Sequence, residues 1–301
     1  MTTFYRRLPK VDYFSPRSLS ELWEVMQSAN GNTYKVFAGG TDVIPNLKRR
    51  KGEIPHALVD LKGLRELDYI RYDANAGLAI GALASVHAVA ASCLVREHYP
   101  ALATAAEKIG SIQIRNRATV VGNICNAAPS ADTAPALLAL DASVCCSSAK
   151  GDRLMPLTDL FAGPLRNTLS SGEIVTEIRI PTHRAGSRSC YIKLSPRQTL
   201  DLAVVGVAVF LQENGGACEE IRIGLGAVGP TPMRALAAES ALRGTRLTPE
   251  NIDRAARAAA EECSPRDSIR GSAAYRRDMV GVLVKKAIRK ILAAGPSGTA
   301  C

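Results

Sequence analysis

Two short segments of this chain carry the residue types that hold anionic oxygens. The first is Ala38-Gly39-Gly40-Thr41-Asp42, at the end of the mostly apolar, β-prone run Tyr34-Lys35-Val36-Phe37-Ala38. Glycines let backbone N–H groups approach a bound group with no Cβ in the way. Consecutive N–H groups in such a turn form a concave nest suited to phosphate oxygens, and the Thr41 hydroxyl adds a donor. The same residues also describe an ordinary Gly-Gly turn with Asp42 as a local cap. The second segment is Thr119-Val120-Val121-Gly122-Asn123, where a β-branched run again meets a glycine and a small polar residue that tolerates unusual backbone angles. Further on, Asp132 precedes Pro135 and the apolar stretch Ala134 to Leu140, the place of a helix N-cap. As a carboxylate it also suits ribose or ribityl hydroxyls, and the two roles coexist.

A cation follows on the run Tyr191-Ile192-Lys193-Leu194, where alternation puts Tyr191 and Lys193 on one face. A lysine there reads equally as a surface residue of an edge strand. Gly224-Leu225-Gly226-Ala227-Val228-Gly229 matches G-x-G-x-x-G after a strand, but Pro230 and Pro232 stop the third glycine from opening a helix. Glu250, at roughly the spacing of the acid that completes that fingerprint, follows Thr248-Pro249 in a helix first turn, the wrong context. We read this stretch as a strand end entering a Pro-rich turn. The eight cysteines include no C-x-x-C and no zinc or iron–sulfur spacing. Cys145 and Cys146 face opposite sides of a strand, and the histidines are scattered. No acid–base or nucleophilic set is visible, so the expectation is no catalytic residue and no metal site in this chain.

The elements that must position these residues fall into three units: 1–57, 58–172 and 173–301. In the first, Ser18-x-x-Glu21 is a capping box for a helix to about Ala29, stopped by Gly31-Asn32, and the Tyr34–Ala38 strand follows. The second opens with strands at 58–61 and 78–80. Helices from Ser85 to about Val95 and from Pro100 to Ile109 follow, then a strand from Arg115 to Val121, a helix from Thr133 to Leu140 and a strand from Ala142 to Cys146. The third begins with the alternating run 173–181, continues with strands at 189–194, 203–212 and 220–225 and a hairpin at Asn214-Gly215-Gly216, and ends in two helices. Thr248-Pro249 starts the first of these, Arg276 to Ala293 is the second, and a frayed tail runs from Gly295. Because the two glycine turns lie in different units, a ligand touching both would occupy the cleft between them.

Composition narrows the classes. At 301 residues, with 47% apolar and 22% charged residues, the chain is long enough for two or three packed domains. No apolar run spans a bilayer, and no apolar h-region follows the N-terminal arginines, so the default compartment is the cytoplasm. The formal net charge of +10 raises nucleic acid, but the basic residues occur in small groups without interleaved aromatics, which are only 5% of the chain. Docking of an acidic partner or guidance of an anionic cofactor suits that charge better.

Three stretches together, VFAGGTDVIPNLK, IGSIQIRNRATVVGNICNAAPSADTAPALLALDA and SPRDSIRGSAAYRRDMVGVLVKKAI, resemble the FAD-binding medium subunit of the molybdenum hydroxylase family. That family includes xanthine dehydrogenase and carbon monoxide dehydrogenase, and the resemblance covers essentially the whole chain. It implies an α+β chain: a two-lobed FAD-binding fold of the vanillyl-alcohol oxidase/PCMH type plus a C-terminal α/β domain with a small antiparallel sheet and helices. It implies FAD as cofactor. Lys35, Val36, Phe37, Ala38, Gly39, Gly40, Thr41, Asp42 and Val43 match the first diphosphate loop, with Lys35 toward the phosphate or adenine end. Thr119, Gly122 and Asn123 match the second, and Asp132 the acid beyond it. Lys193 would approach the flavin ring, where a cation stabilises the reduced, anionic flavin. Tyr191 would lie against the ring face and Val175 would cover its edge. Val121 stands where many members have a further glycine. Nothing like the cysteine-rich insertion of relatives that reduce aromatic CoA thioesters lies between Asn123 and Asp132.

The implied partners are a molybdopterin-containing large subunit, a [2Fe–2S] small subunit and a soluble acceptor such as NAD, with no nucleic acid and no membrane span. Two alternatives stand beside this reading. One is a stand-alone FAD oxidoreductase of the same fold, which needs a His or Glu base near the ring that the sequence does not point to. The other is a non-catalytic assembly protein.

Overall fold

The computed structural model describes residues 7–28, 33–197 and 199–294. The helix stop at Gly31-Asn32 and the tail from Gly295 lie outside them.

The N-terminal lobe contains β1 (Asp12–Phe14), α1 (Leu19–Ser28), β2 (Tyr34–Phe37), α2 (Val43–Lys48) and β3 (Ala57–Asp60). Helix α1 starts as its Ser-x-x-Glu spacing predicts: Glu21 N–H donates to Ser18 Oγ (3.2 Å), and Arg17 N–H donates to the Glu21 carboxylate (2.8 Å). The strands form a parallel sheet in the order β1-β3-β2. The strand expected to open the second unit therefore belongs to the first, because its backbone pairs with Tyr34–Phe37.

The middle lobe runs through β4 (Ile70–Asp73), β5 (Gly77–Gly81), α3 (Val86–Ala91), α4 (Cys93–His98), α5 (Pro100–Glu107), α6 (Ile112–Arg115), α7 (Val120–Cys125) and α8 (Thr133–Ala139). It continues with β6 (Ser143–Ser148), β7 (Gly151–Pro156), the small hairpin β8 (Phe161–Gly163)/β9 (Arg166–Asn167), and β10 (Ile174–Ile180). Its antiparallel sheet has the order β4-β5-β10-β6-β7. Strand β10, expected to begin the third unit, thus sits at the centre of the second sheet. The helix expected from Ser85 to Val95 is two helices, since Ser92 turns extended and caps α4 through its hydroxyl. The strand expected over 115–121 is absent. The chain is helical at Ile112–Arg115 and again from Val120, with Thr119 extended between them. Val120 and Val121 are buried, and their packing overrides the β preference of their branched side chains.

The C-terminal unit contains β11 (Arg188–Leu194), β12 (Val205–Asn214), β13 (Ala217–Gly226), β14 (Met233–Arg234), α9 (Leu236–Leu242), α10 (Pro249–Glu261) and α11 (Ala273–Ala293). The sheet is antiparallel, and its β12–β13 hairpin turns at Gly215 (φ 59°) and Gly216 (φ 80°), as Asn-Gly-Gly predicts. Val205 to Leu211 are all buried because helices cover both faces: α11 and α9 on one, α5 and α8 of the middle lobe on the other. The G-x-G-x-x-G stretch is explained here. A Cβ on Gly224 would fall 2.0 Å from the Pro135 carbonyl, and one on Gly226 would fall 2.8 Å from Pro135 Cγ. These glycines let α8 lie on β13. The first two lobes share one hydrophobic core, and the C-terminal unit has its own.

Candidate functional site

A cleft of about 950 Å³ opens between the lobes, within the size range of small-molecule sites. The first lobe lines it with residues 33–43, the middle lobe with stretches between 109 and 132 and with 167–175, and the C-terminal unit with 200–202. Lys35 through Val43, Thr119, Gly122, Asn123, Asp132 and Val175 all reach its wall; Tyr191 and Lys193 do not.

The first glycine turn is open. Gly40 has φ 70°, a left-handed conformation that a Cβ disfavours. The N–H groups of Gly39, Gly40, Thr41, Asp42 and Val43 have no acceptor among the described residues. Asp42 precedes α2 but makes no side-chain cap, so the local-cap alternative fails. The base of the turn is fixed by Lys62, whose Nζ donates to the Ala38 carbonyl (3.2 Å) and Asp60 (2.7 Å) and lies 4.4 Å from the Phe37 ring centroid. Burial pushes the Asp60 carboxyl up, but Lys62 and Tyr13 pull it below its ordinary value. Gly39 has a different task. A Cβ there would fall 1.9 Å from the Arg117 carbonyl, so only glycine lets the turn press against the chain just before Thr119.

The second segment is closed. Thr119 caps α7, accepting from Gly122 N–H on Oγ1 (3.0 Å), and Asn123 N–H donates to the Thr119 carbonyl (3.0 Å). The N–H groups expected to face a diphosphate are therefore spent inside the helix's first turn. What this segment offers the cleft is side chains. Asn123 accepts from Thr133 Oγ1 through Oδ1 (2.6 Å), and its amide nitrogen makes no hydrogen bond among the described residues.

Asp132 sits at the start of α8 without capping it, because its carboxylate is engaged elsewhere. Oδ1 accepts from Tyr191 Oη (2.9 Å) and Oδ2 from Lys193 Nζ (2.8 Å). Burial pushes the Asp132 carboxyl up, with Lys193 and Tyr191 acting against it. Burial also pushes the Tyr191 hydroxyl well above its ordinary value, so it is a donor at neutral pH. Tyr191 and Lys193, expected on the ring face and beside the ring, both bond Asp132 and are not part of the cleft wall. Val175, buried next to a β-bulge in β10, does reach the wall.

The sequence reading missed two wall segments. The 167–173 turn is drawn in by Asn167 Nδ2 donating to the Cys125 carbonyl (2.8 Å) and by Gly172 N–H donating to Tyr34 Oη (3.1 Å). At its end the Arg153 guanidinium, bonded through two nitrogens (2.7 and 2.9 Å), holds the Glu173 carboxyl down to about 2. Ser170-Ser171-Gly172 ahead of an alternating strand was the available turn signal. The other segment, Leu200-Asp201-Leu202, has two exposed leucines and no comparable local signal.

The chemistry on offer is binding. Burial pushes the thiol of the wall residue Cys125 up to about 12, which leaves no thiolate nucleophile there at neutral pH. No group of His, Cys, Asp and Glu among the described residues could hold a metal ion. A row of uncommitted N–H donors, an acceptor carboxylate elsewhere on the wall and a cleft of about 950 Å³ fit FAD, a diphosphate with hydroxylated linkers.

Residues 9–183 match the family described as the FAD binding domain in molybdopterin dehydrogenase, and residues 190–291 match the CO dehydrogenase flavoprotein C-terminal domain. The chain is 34% identical to the glyceraldehyde dehydrogenase medium chain of Sulfolobus acidocaldarius over 94% of its length and 99% of that protein. It is 33% identical to the carbon monoxide dehydrogenase medium chain of Hydrogenophaga pseudoflava, covering 93% and 96% of the two. Among solved structures, carbon monoxide dehydrogenase from Hydrogenophaga pseudoflava superposes with a TM-score of 0.91 at 34% identity, covering 95% of this chain and 99% of that one. Quinoline 2-oxidoreductase from Pseudomonas putida 86 superposes with a TM-score of 0.87 at 28% identity, covering 95% and 98%.

Proposed function

The chain belongs to the FAD-binding flavoprotein-subunit family of the molybdenum hydroxylases, and we propose that it is the electron outlet of such a complex. It is an FAD-dependent oxidoreductase subunit. In this reading a large partner oxidises substrate at molybdenum, a small partner carries [2Fe–2S] clusters, and electrons leave through this chain to NAD or another soluble acceptor in the cytoplasm. Bound FAD supplies the exchange between single-electron and two-electron steps.

This chain's own residues bind and orient. The open N–H groups of residues 39–43 cradle the diphosphate, with Thr41 adding its hydroxyl. Gly39 holds that cradle against the backbone of Arg117, and Asp132 accepts from a hydroxyl or ring N–H further along. Charge-assisted bonds of this kind contribute about 1.5–3 kcal/mol each, so retention is shared rather than set by one contact. Relatives whose names are medium chains of dehydrogenases support a multi-chain setting. The observation that carries the binding role is the row of N–H donors on the cleft wall that have no acceptor among the described residues.

The test is purification of the chain with its native partners. The expected result is one FAD per chain, with molybdenum and iron in two further polypeptides. A colourless chain that takes up no FAD, or turnover of an organic substrate by this chain alone, contradicts the proposal.

A further inference from the structure

Lys193 has three ammonium donors, and three acceptors meet them: Asp132 Oδ2 at 2.8 Å, the Asp201 carbonyl at 2.8 Å and the Lys108 carbonyl at 3.0 Å. The side chain is only 5% exposed. No donor is left for a ligand, which explains why the residue stands behind the wall. Its acceptors come from three separate places: the end of α5, the start of α8, and the connection between β11 and β12. Two of these reach the cleft, through Asp132 and through Leu200-Asp201-Leu202. Tyr191 and Lys193 each take one site on the Asp132 carboxylate, which has about four, so capacity remains for a group in the cleft.

We propose that Lys193 is a positioning residue acting through Asp132: it keeps that carboxylate ionised as an acceptor for an O–H or N–H of FAD, and it ties Asp201 of the β11–β12 connection to the cleft wall. The inference rests on the FAD reading above. The charge around Asp132 supports it. From β11 the carboxylate meets Tyr191 and Lys193. From the β11–β12 connection, Asp201 turns its own carboxylate to Arg197 (3.4 Å) and Arg270 (3.7 Å). Asn123 of α7 and Thr133 of α8, bonded to each other, are neutral, and the end of α5 gives only the Lys108 carbonyl, which accepts from Lys193. Lys193 is thus the one cation paired with Asp132 among the described residues. Without it, burial favours the protonated acid, which presents a donor where the site needs an acceptor.

The experiment titrates FAD into wild type, Lys193→Met, Asp132→Asn and the double variant from pH 6 to 9, with tryptic cleavage after Arg197 as a second readout. Wild type should bind with a flat pH profile. Lys193→Met should bind at least tenfold more weakly at pH 6, recover toward pH 9 as Asp132 ionises, and be cut about tenfold faster at Arg197. Asp132→Asn should bind weakly at every pH, with wild-type cleavage because the two carbonyls still hold Lys193. The double variant should bind weakly and lose the pH dependence. The proposal is overturned by wild-type binding in Lys193→Met, by a pH dependence that persists in the double variant, or by undiminished FAD binding in Asp132→Asn. If Lys193→Met does not fold, Asp132→Asn and its cleavage rate still decide the matter. Failure of the wild-type chain to bind FAD at any pH sinks the FAD reading instead.

Discussion

The two glycine segments that line the cleft look alike in sequence and differ in structure. At 38–43 the chain leaves a strand, turns through a left-handed glycine and presents the N–H groups of residues 39–43, which have no acceptor among the described residues. At 119–123 it enters a helix whose first turn is closed by the Thr119 hydroxyl on Gly122 N–H. One segment is a cradle, and the other is a buttress that supports the cradle from behind through the Arg117–Gly39 contact. A glycine after a β-branched run therefore does not say whether its N–H is available. That depends on whether a capping hydroxyl three residues earlier has claimed it.

Substitutions rank the difference. The largest effect is expected at Gly39. Gly39→Ala drives a Cβ into the Arg117 carbonyl and should cost about 3 kcal/mol and most of the bound flavin, read by thermal unfolding and by absorbance of released FAD. Gly40→Ala comes next. Its neighbours are side-chain atoms of Ile44 and Phe37 at 3.2 and 3.3 Å rather than backbone, so the main cost is the left-handed backbone, about 1–2 kcal/mol. FAD affinity should fall at least tenfold, because the N–H row re-aims. Thr119→Ala should lose about 1 kcal/mol of helix capping yet keep FAD affinity within about threefold. Equal losses of FAD affinity in Thr119→Ala and Gly40→Ala would erase the distinction between cradle and buttress.

The smallest effect concerns the missed wall at 167–173. Glu173 is held at about 2 rather than its ordinary 4.5 by Arg153, so its stabilisation is complete above pH 4.5 and is lost as pH falls toward 2. Arg153→Gln should flatten that part of the acid-unfolding curve by lowering stability at neutral pH while leaving stability near pH 2 nearly unchanged, measured by circular dichroism against pH.

Much of this was legible in the sequence, and the failures have physical causes. Capping boxes, the Asn-Gly-Gly hairpin and the Thr248-Pro249 helix start are local signals, and the chain obeys them. Strand membership is non-local. Ala57–Asp60 and Ile174–Ile180 read correctly as strands, but only their pairing shows which sheet they complete. Residues 120–121 are β-branched and helical because burial against the middle sheet outweighs propensity. The wall residues of the first turn were found from spacing and resemblance together. Alternation puts Tyr191 and Lys193 on one face but does not show that both bond Asp132 rather than line the cleft, because it gives a residue's face and not the partners that saturate it. The loop at 200–202 gave no signal, since exposed leucines acquire meaning only when the fold brings them to a cleft.

Amide hydrogen exchange of the chain with and without FAD tests the cradle most directly. The account predicts that FAD slows exchange at the N–H groups of residues 39–43, which have no acceptor among the described residues, and changes little at Gly122 and Asn123, which are already bonded to Thr119. Protection gained at 122–123 with none at 39–43 would contradict it.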